Sequence, residues 1–210
     1  SVVLYLSPVW HTLPEAKRAR FGYIQNLHNG GVGQGIIAGH PWMLDNGAFS
    51  DGWTEAAWLA ALERWRPYTA TCIAAVCPDV VGDSAATLAR FDVYEPVIRQ
   101  YGYPVAFVTQ DGLTMDAVPW ERFDVLFVGG STEHKLTQAY PFIWEAKRRG
   151  KWVHVGRVNS AKRIAAFWMA DSCDGTTLAI EPTPRNQQRM LNGVAAAQAK
   201  KGMVSLWDMS

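Results

Sequence analysis

The stretch Trp42-Met43-Leu44-Asp45-Asn46-Gly47-Ala48-Phe49-Ser50 (WMLDNGAFS, residues 42–50) decides how the chain reads. Trp42, Met43 and Leu44 form a short apolar run that reads as the end of a buried strand. The run stops at Asp45, and Asn46-Gly47 turns the chain. A carboxylate at the mouth of a buried strand, beside a glycine that lets another group approach, is how an α/β enzyme presents a catalytic acid. The plainer reading is an Asn-Gly turn whose Asp bonds its own backbone. Recurrence of the same layout along the chain favours the first.

Residues 72–76 (CIAAV) run into Cys77-Pro78-Asp79, and residues 105–109 (VAFVT) into Gln110-Asp111-Gly112. Residues 125–128 (VLFV) end at Gly129-Gly130, residues 152–155 (WVHV) at Gly156-Arg157, and a brief strand near Ser172 at Asp174-Gly175. A first strand is expected at residues 2–6, ended by Pro8. The polar segment 11–20 reads as helical after Pro14. Helices are also expected over residues 54–66, capped by Thr54, over 83–100, over 134–149, from a Ser160 cap to 170, and over 186–200. Residues 29–35 (NGGVGQG) read as a mobile loop. A phosphate cradle there has little support, because no GxGxxG or Walker lysine pattern is present and no clear strand precedes it.

Buried strands alternating with helices, without hairpin signals, indicate a parallel sheet. About seven or eight such units form either a closed barrel or an open doubly wound sheet. No dinucleotide fingerprint opens the first unit, so the expectation is an α/β chain folded as one compact (β/α)8 TIM-like barrel over residues 1–210. At the short end of the usual ~200 to 400 residue range, several helices must be reduced.

Composition sets further bounds. A hydrophobic content of 49% and a charged content of 19% fit a folded globular domain. No apolar run is long enough to span a membrane, and the start SVVLYLSPVW lacks a basic leader. The expectation is a cytoplasmic protein without membrane contact. The three cysteines, Cys72, Cys77 and Cys173, are too few and too scattered for a disulfide framework or a four-ligand zinc site. A net charge of +1 leaves polyanion binding to local patches. The run Lys147, Arg148, Arg149, Lys151 is the densest, but lies at a helix end on the non-catalytic side. Ten tryptophans supply core or interface, with base stacking as the sharper alternative for some.

In a barrel all the strand-end residues lie on one face. Asp45, Asp79 and Asp174 should then converge with Asn46, Gln110 and two glycine turns. No strand end carries a Ser-His pair or a histidine cluster, which argues against a triad hydrolase and a metal centre. His154, inside a strand, reads as a hydrogen-bonded core residue. Paired carboxylates perform glycosidic chemistry, one as nucleophile and one as acid/base. A further carboxylate with an amide can bond the edge of a heterocycle.

With these residues in order, the chain resembles the tRNA-guanine transglycosylase superfamily, and more closely its short DNA-modifying branch, the 7-deazaguanine DNA transglycosylases. The family's DSGGFQ is matched by DNGAFS, residues 45–50, with Phe49 in the position that stacks on the base. Its base-recognising Asp is matched by Asp79, its VQGG glutamine by Gln110, and its Gly-Gly pair by Gly129-Gly130. Val155-Gly156 match the apolar residue and glycine on the other side of the base. Asp174, in DSCD, matches the nucleophile, with Asp171 as the weaker candidate. The resemblance spans residues 42–175. The family's cysteine-rich zinc subdomain has no counterpart here, which favours DNA over tRNA as substrate.

The resemblance implies a pentosyltransferase that needs no cofactor and no metal. Asp174 would be the nucleophile and Asp45 the general acid/base. Phe49 and Val155 would sandwich the base; Asn46, Asp79, Gln110, Gly129, Gly130 and Gly156 would line its edge. A free 7-deazaguanine would replace guanine in DNA, with Arg157, Lys162, Arg163, Arg185 and Arg189 as candidates for phosphate contact. The alternatives are a tRNA substrate, a hydrolytic N-glycosidase, and a non-catalytic base-binding barrel.

Overall fold

The computed structural model describes residues 3–9, 13, 15–27, 33–49 and 53–207. Its strands are β1 (Leu4–Ser7), β2 (Phe21–Gln25), β3 (Trp42–Leu44), β4 (Cys72–Val76), β5 (Val105–Thr109), β6 (Val125–Val128), β7 (Trp152–Val155) and β8 (Ser172–Asp174). They close in sequence order into one barrel, all neighbours parallel. The helices between them are α1 (Glu15–Arg18), α2 (Gln34–Ile37), α3 (Glu55–Trp65), α4 (Ser84–Gln100), α5 (Thr132–Thr137), α6 (Ala139–Arg148), α7 (Ala161–Ala166), α8 (Thr177–Ile180) and α9 (Pro184–Trp207). The expected (β/α)8 barrel is the observed fold, with α1, α2 and α8 reduced to about a turn each.

Side chains alternate across each strand and build two cores. Inward residues, among them Leu6, Ile24, Met43, Val76, Ala106 and Val108, fill the barrel. Outward residues pack beneath the helices. Trp42, Trp58 and Trp65 belong to this outer layer, and no described tryptophan lines the cavity discussed below. The helices start where polar side chains satisfy their first amides. Thr54, Asp83, Ser131 and Ser160 accept from Ala57, Ala86, His134 and Arg163.

Three expectations are corrected. A strand does precede the glycine-rich segment: β2 was hidden because Gly22 and Gln25 interrupt its apolar run. Gly22 is required there, since a Cβ would lie 2.9 Å from the Pro41 carbonyl oxygen and against the Leu6 side chain. Residues 29–32 of the expected loop lie outside the described residues; residues 34 and 35 already belong to α2. The single helix expected over 134–149 is two, because Gln138 leaves the helical region (φ −121°). Pro141 then sits in the first turn of α6, where its missing N–H costs nothing.

The basic run on the far face has a structural role. Asp171 is buried just before β8 and accepts from Lys147 Nζ at 2.6 Å, Lys201 Nζ at 2.8 Å and the Val153 amide at 2.9 Å. Arg148 and Arg149 pair with Glu145, and Lys151 Nζ donates to the Phe123 carbonyl. Asp171 therefore ties α6 and α9 to the base of β7 and β8, at the opposite end of the barrel from Asp174. Asp171→Ala leaves two ammonium groups facing each other without their carboxylate. We expect a loss of about 3 kcal/mol in urea denaturation, with the mouth of the barrel intact.

Candidate active site

The inward alternation leaves a cavity of about 230 Å³ at the C-terminal ends of the strands. Drug-sized ligand pockets run to about 300–1,000 Å³, so this one suits a single heterocycle better. Its floor is apolar, formed by Ile24, Val76, Val108 and Phe127. Its walls carry Asp45, Asp79 and Asp174, each delivered by a different strand end. Phe49 stands exposed at the rim, and the Arg157 guanidinium lies 3.9 Å from the centre of its ring.

Asp79 is the centre of a polar wall. Asn46 Nδ2 donates to its Oδ1 at 2.7 Å and Gln110 Nε2 to its Oδ2 at 2.6 Å. Both amides are themselves held. Asn46 also donates to the Cys77 carbonyl and accepts from the Ala48 amide, while Gln110 Oε1 accepts from the Gly82 amide. Burial pushes the Asp79 carboxyl up, and its bonds to Asn46 and Gln110 work against that shift. The result is a fixed acceptor edge with spare lone pairs, suited to a ligand that presents adjacent N–H groups.

Asp45 and Asp174 share the cavity in unlike surroundings. Asp45 is pushed up to about 7, first by loss of water and then by the charge on Asp174, against amide bonds from Gly47 and Asn46. Asp45 is thus both bonded to the backbone of its own turn and held in the cavity. Asp174 Oδ1 accepts from the Arg157 amide at 3.0 Å and faces His154 Nε2 at 3.1 Å. Arg157 is the one described non-glycine residue with positive φ (57°), a conformation that aims its amide at Asp174. Its guanidinium donates to the Gly130 carbonyl at 2.7 Å.

Of the sequence-predicted residues, Asp45, Asn46, Phe49, Asp79, Gln110, Gly129, Gly130, Gly156, Arg157 and Asp174 all meet at this cavity. Val155 does not. It points outward into the helical layer, because the residue before it in β7, His154, points into the barrel. The apolar surface expected of Val155 is supplied by Phe127, which lies so close that a Cβ on Gly156 would stand 2.7 Å from its ring. Lys162 and Arg185 are exposed, and Arg163 is half-buried in α7. Arg189 reaches the Asn159 carbonyl near the mouth. Asp111 binds the amide and hydroxyl of Ser131 rather than the cavity. Sequence reading missed Phe127 and the reach of His154 to Asp174; alternation within residues 125–128 and 152–155 was the signal for each.

The fold and the site together define a (β/α)8 barrel with an acidic cavity at the C-terminal ends of its strands. Protein-family models give no match to the chain, and curated proteins give none either. Among solved structures it is similar to tryptophan synthase alpha-subunits. A mutant alpha-subunit from the hyperthermophile Pyrococcus furiosus is 13% identical with a TM-score of 0.57, over 95% of this chain and 98% of that one. Another P. furiosus structure, described for mutual activation of the α2β2 complex, is 12% identical with a TM-score of 0.58, over 95% and 98%. Tryptophan synthase from M. tuberculosis in an open form is 14% identical with a TM-score of 0.57, over 94% and 92%. At such identity the likeness is one of fold.

The raised pKa of Asp45 gives a pH-dependent stability. The unfolded carboxyl ionises from about 3.8 upward while the folded one resists until about 7, so stability is lost between those values as pH rises. Asp45→Asn removes this loss. We expect the variant to have a higher urea midpoint than the parent at pH 8, and the difference to vanish below pH 4.

Proposed function

We propose that this chain is a base-exchange glycosyltransferase that replaces guanine in DNA with a free 7-deazaguanine. The observation that carries the reading is a pair of carboxyls, Asp45 and Asp174, in one heterocycle-sized cavity with unlike surroundings. The unlike surroundings support Asp45 as the acid and Asp174 as the nucleophile. Asp45 holds a proton near neutral pH, while Asp174 accepts an amide bond and faces an imidazole. The order of matched motifs along residues 45–174 supports the same reading.

Asp174 attacks C1′ of a flipped-out deoxyguanosine, and the C1′–N9 bond breaks. The base leaves with the bonding electrons and takes the proton of Asp45. A glycosyl-aspartate remains. The incoming deazaguanine gives its N9 proton to the Asp45 carboxylate and attacks C1′, which frees Asp174. Two displacements retain the configuration at C1′. Asp79, steadied by Asn46 and Gln110, accepts the N–H groups of the base edge. Phe127 and Val108 lie against one face of the ring, and Phe49 offers a ring at the rim. Arg157, Lys162, Arg163, Arg185 and Arg189 offer cations to the phosphates.

The test is exchange of labelled guanine into DNA and, in a parallel arm, into tRNA. Exchange into DNA is expected, with Asp174→Asn lowering it at least about 10³-fold and Asp45→Asn about 10²- to 10⁴-fold. In the parent, exchange should fall as pH rises through about 7, where Asp45 loses its proton. Exchange into tRNA alone would favour the other branch of the family. Release of guanine without any incoming base would make the protein a hydrolase. Binding of the base with neither outcome would make it a non-catalytic receptor.

A further inference from the structure

His154 is fully buried in the middle of the barrel wall, its ring 4.6 Å from that of Phe127. Nδ1 lies 2.9 Å from Ser172 Oγ, and Nε2 lies 3.1 Å from Asp174 Oδ1. Ser172 Oγ in turn accepts from Trp152 Nε1 at 2.9 Å. An indole nitrogen only donates, so Ser172 Oγ accepts there and keeps its own hydrogen to donate to Nδ1. Nδ1 is then the acceptor and Nε2 carries the hydrogen, aimed at Asp174. The other neutral tautomer would set the Nε2 lone pair against a carboxylate oxygen.

The second donor to the same oxygen is the Arg157 amide. Its direction is held from both sides. The Gly156 carbonyl accepts from the buried Lys135 Nζ at 2.8 Å, and the Arg157 side chain is anchored on the Gly130 carbonyl. Both bonds converge on Oδ1. Among the described residues nothing donates to Oδ2, and Asp174 lines the cavity.

We infer that His154 is a positioning residue for the nucleophile: with Arg157 it pins Oδ1 of Asp174 and leaves Oδ2 as the oxygen that attacks. This rests on the base-exchange reading. The bond orients the carboxylate before reaction, so no rotation is needed as C1′ arrives. In the glycosyl-aspartate, Oδ2 is bonded to C1′ and Oδ1 is the ester carbonyl, still facing both donors. When the incoming base attacks, the C1′–Oδ2 bond breaks and its electrons return to the carboxylate, whose charge the two donors then receive. His154 thus serves the formation and the breakdown of the covalent intermediate from one place, without touching the base or the sugar.

Three substitutions separate this from a packing role. His154→Phe keeps the ring beside Phe127 but has no donor. His154→Gln keeps an N–H near the Nε2 position with less bulk. His154→Ala removes both. In the labelled-guanine assay, His154→Ala and His154→Phe are expected to lower kcat about 10²-fold with KM for DNA changed little, and His154→Gln to recover about tenfold of that loss. Phe equal to the parent, or Gln no better than Phe, would overturn the proposal. A second arm is independent of activity. Nitrogen-15 NMR of the imidazole should show the hydrogen on Nε2, and Asp174→Ala should shift that signal. A hydrogen on Nδ1 with a bare Nε2 overturns the inference whatever the assay gives. Absence of any exchange by the parent, with the Nε2 tautomer present, removes the base-exchange reading and leaves the hydrogen-bond assignment standing.

Discussion

Closure between the first and last strands is the constraint on which the rest of this molecule depends. β8 has only three residues, and it pairs with β1 so that Asp174 stands beside Leu6 and Ser172 beside Leu4. On its other side His154 is in register with Ser172. Because parallel neighbours share one direction, closure brings every strand's C-terminal end to one rim. It also brings residue 174 around to the wall that residue 45 has lined from the other side of β1 and β2. A sheet that stayed open would separate β8 from β1, and the two carboxyls would lose their common cavity.

Within that cavity, like charges are kept close at a cost that the surroundings divide unevenly. Asp45 loses water, feels Asp174 and is pushed toward its protonated form. Asp174 meets the Arg157 amide and the His154 imidazole on one of its oxygens. Asp79 is buried and pushed up as well, with two fixed amides working against that shift. The same residue type therefore meets three different environments according to the donors each strand end supplies. Asp171 is the contrast. Three residues before Asp174 in sequence, it lies at the opposite end of β8 and is held by two lysines as a structural tie.

Much of this was legible beforehand, and the exceptions have identifiable causes. The runs 72–76, 105–109, 125–128 and 152–155 are short and mostly apolar, so their bounds and strand ends could be read directly. β2 could not, because its glycine serves a backbone contact with Pro41 that is distant in sequence. The break at Gln138 has no strong local signal beyond the nearby proline. Val155 was assigned to the cavity by motif matching, although the alternation of β7 turns it outward when His154 turns in.

The sequence by itself determined the class of fold and the identity of the polar groups at the rim. Both are written in short-range features: strand-length apolar runs, and the residues that end them. Only the tertiary structure decided which of those groups share a wall and which oxygen of each carboxylate stays open. It also decided that a histidine read as core stands against Asp174. Those facts depend on inter-strand register and on side-chain partners as far as 33 residues away in the chain, as for Asn46 and Asp79. No local pattern encodes such pairings, because they exist only once the barrel has closed.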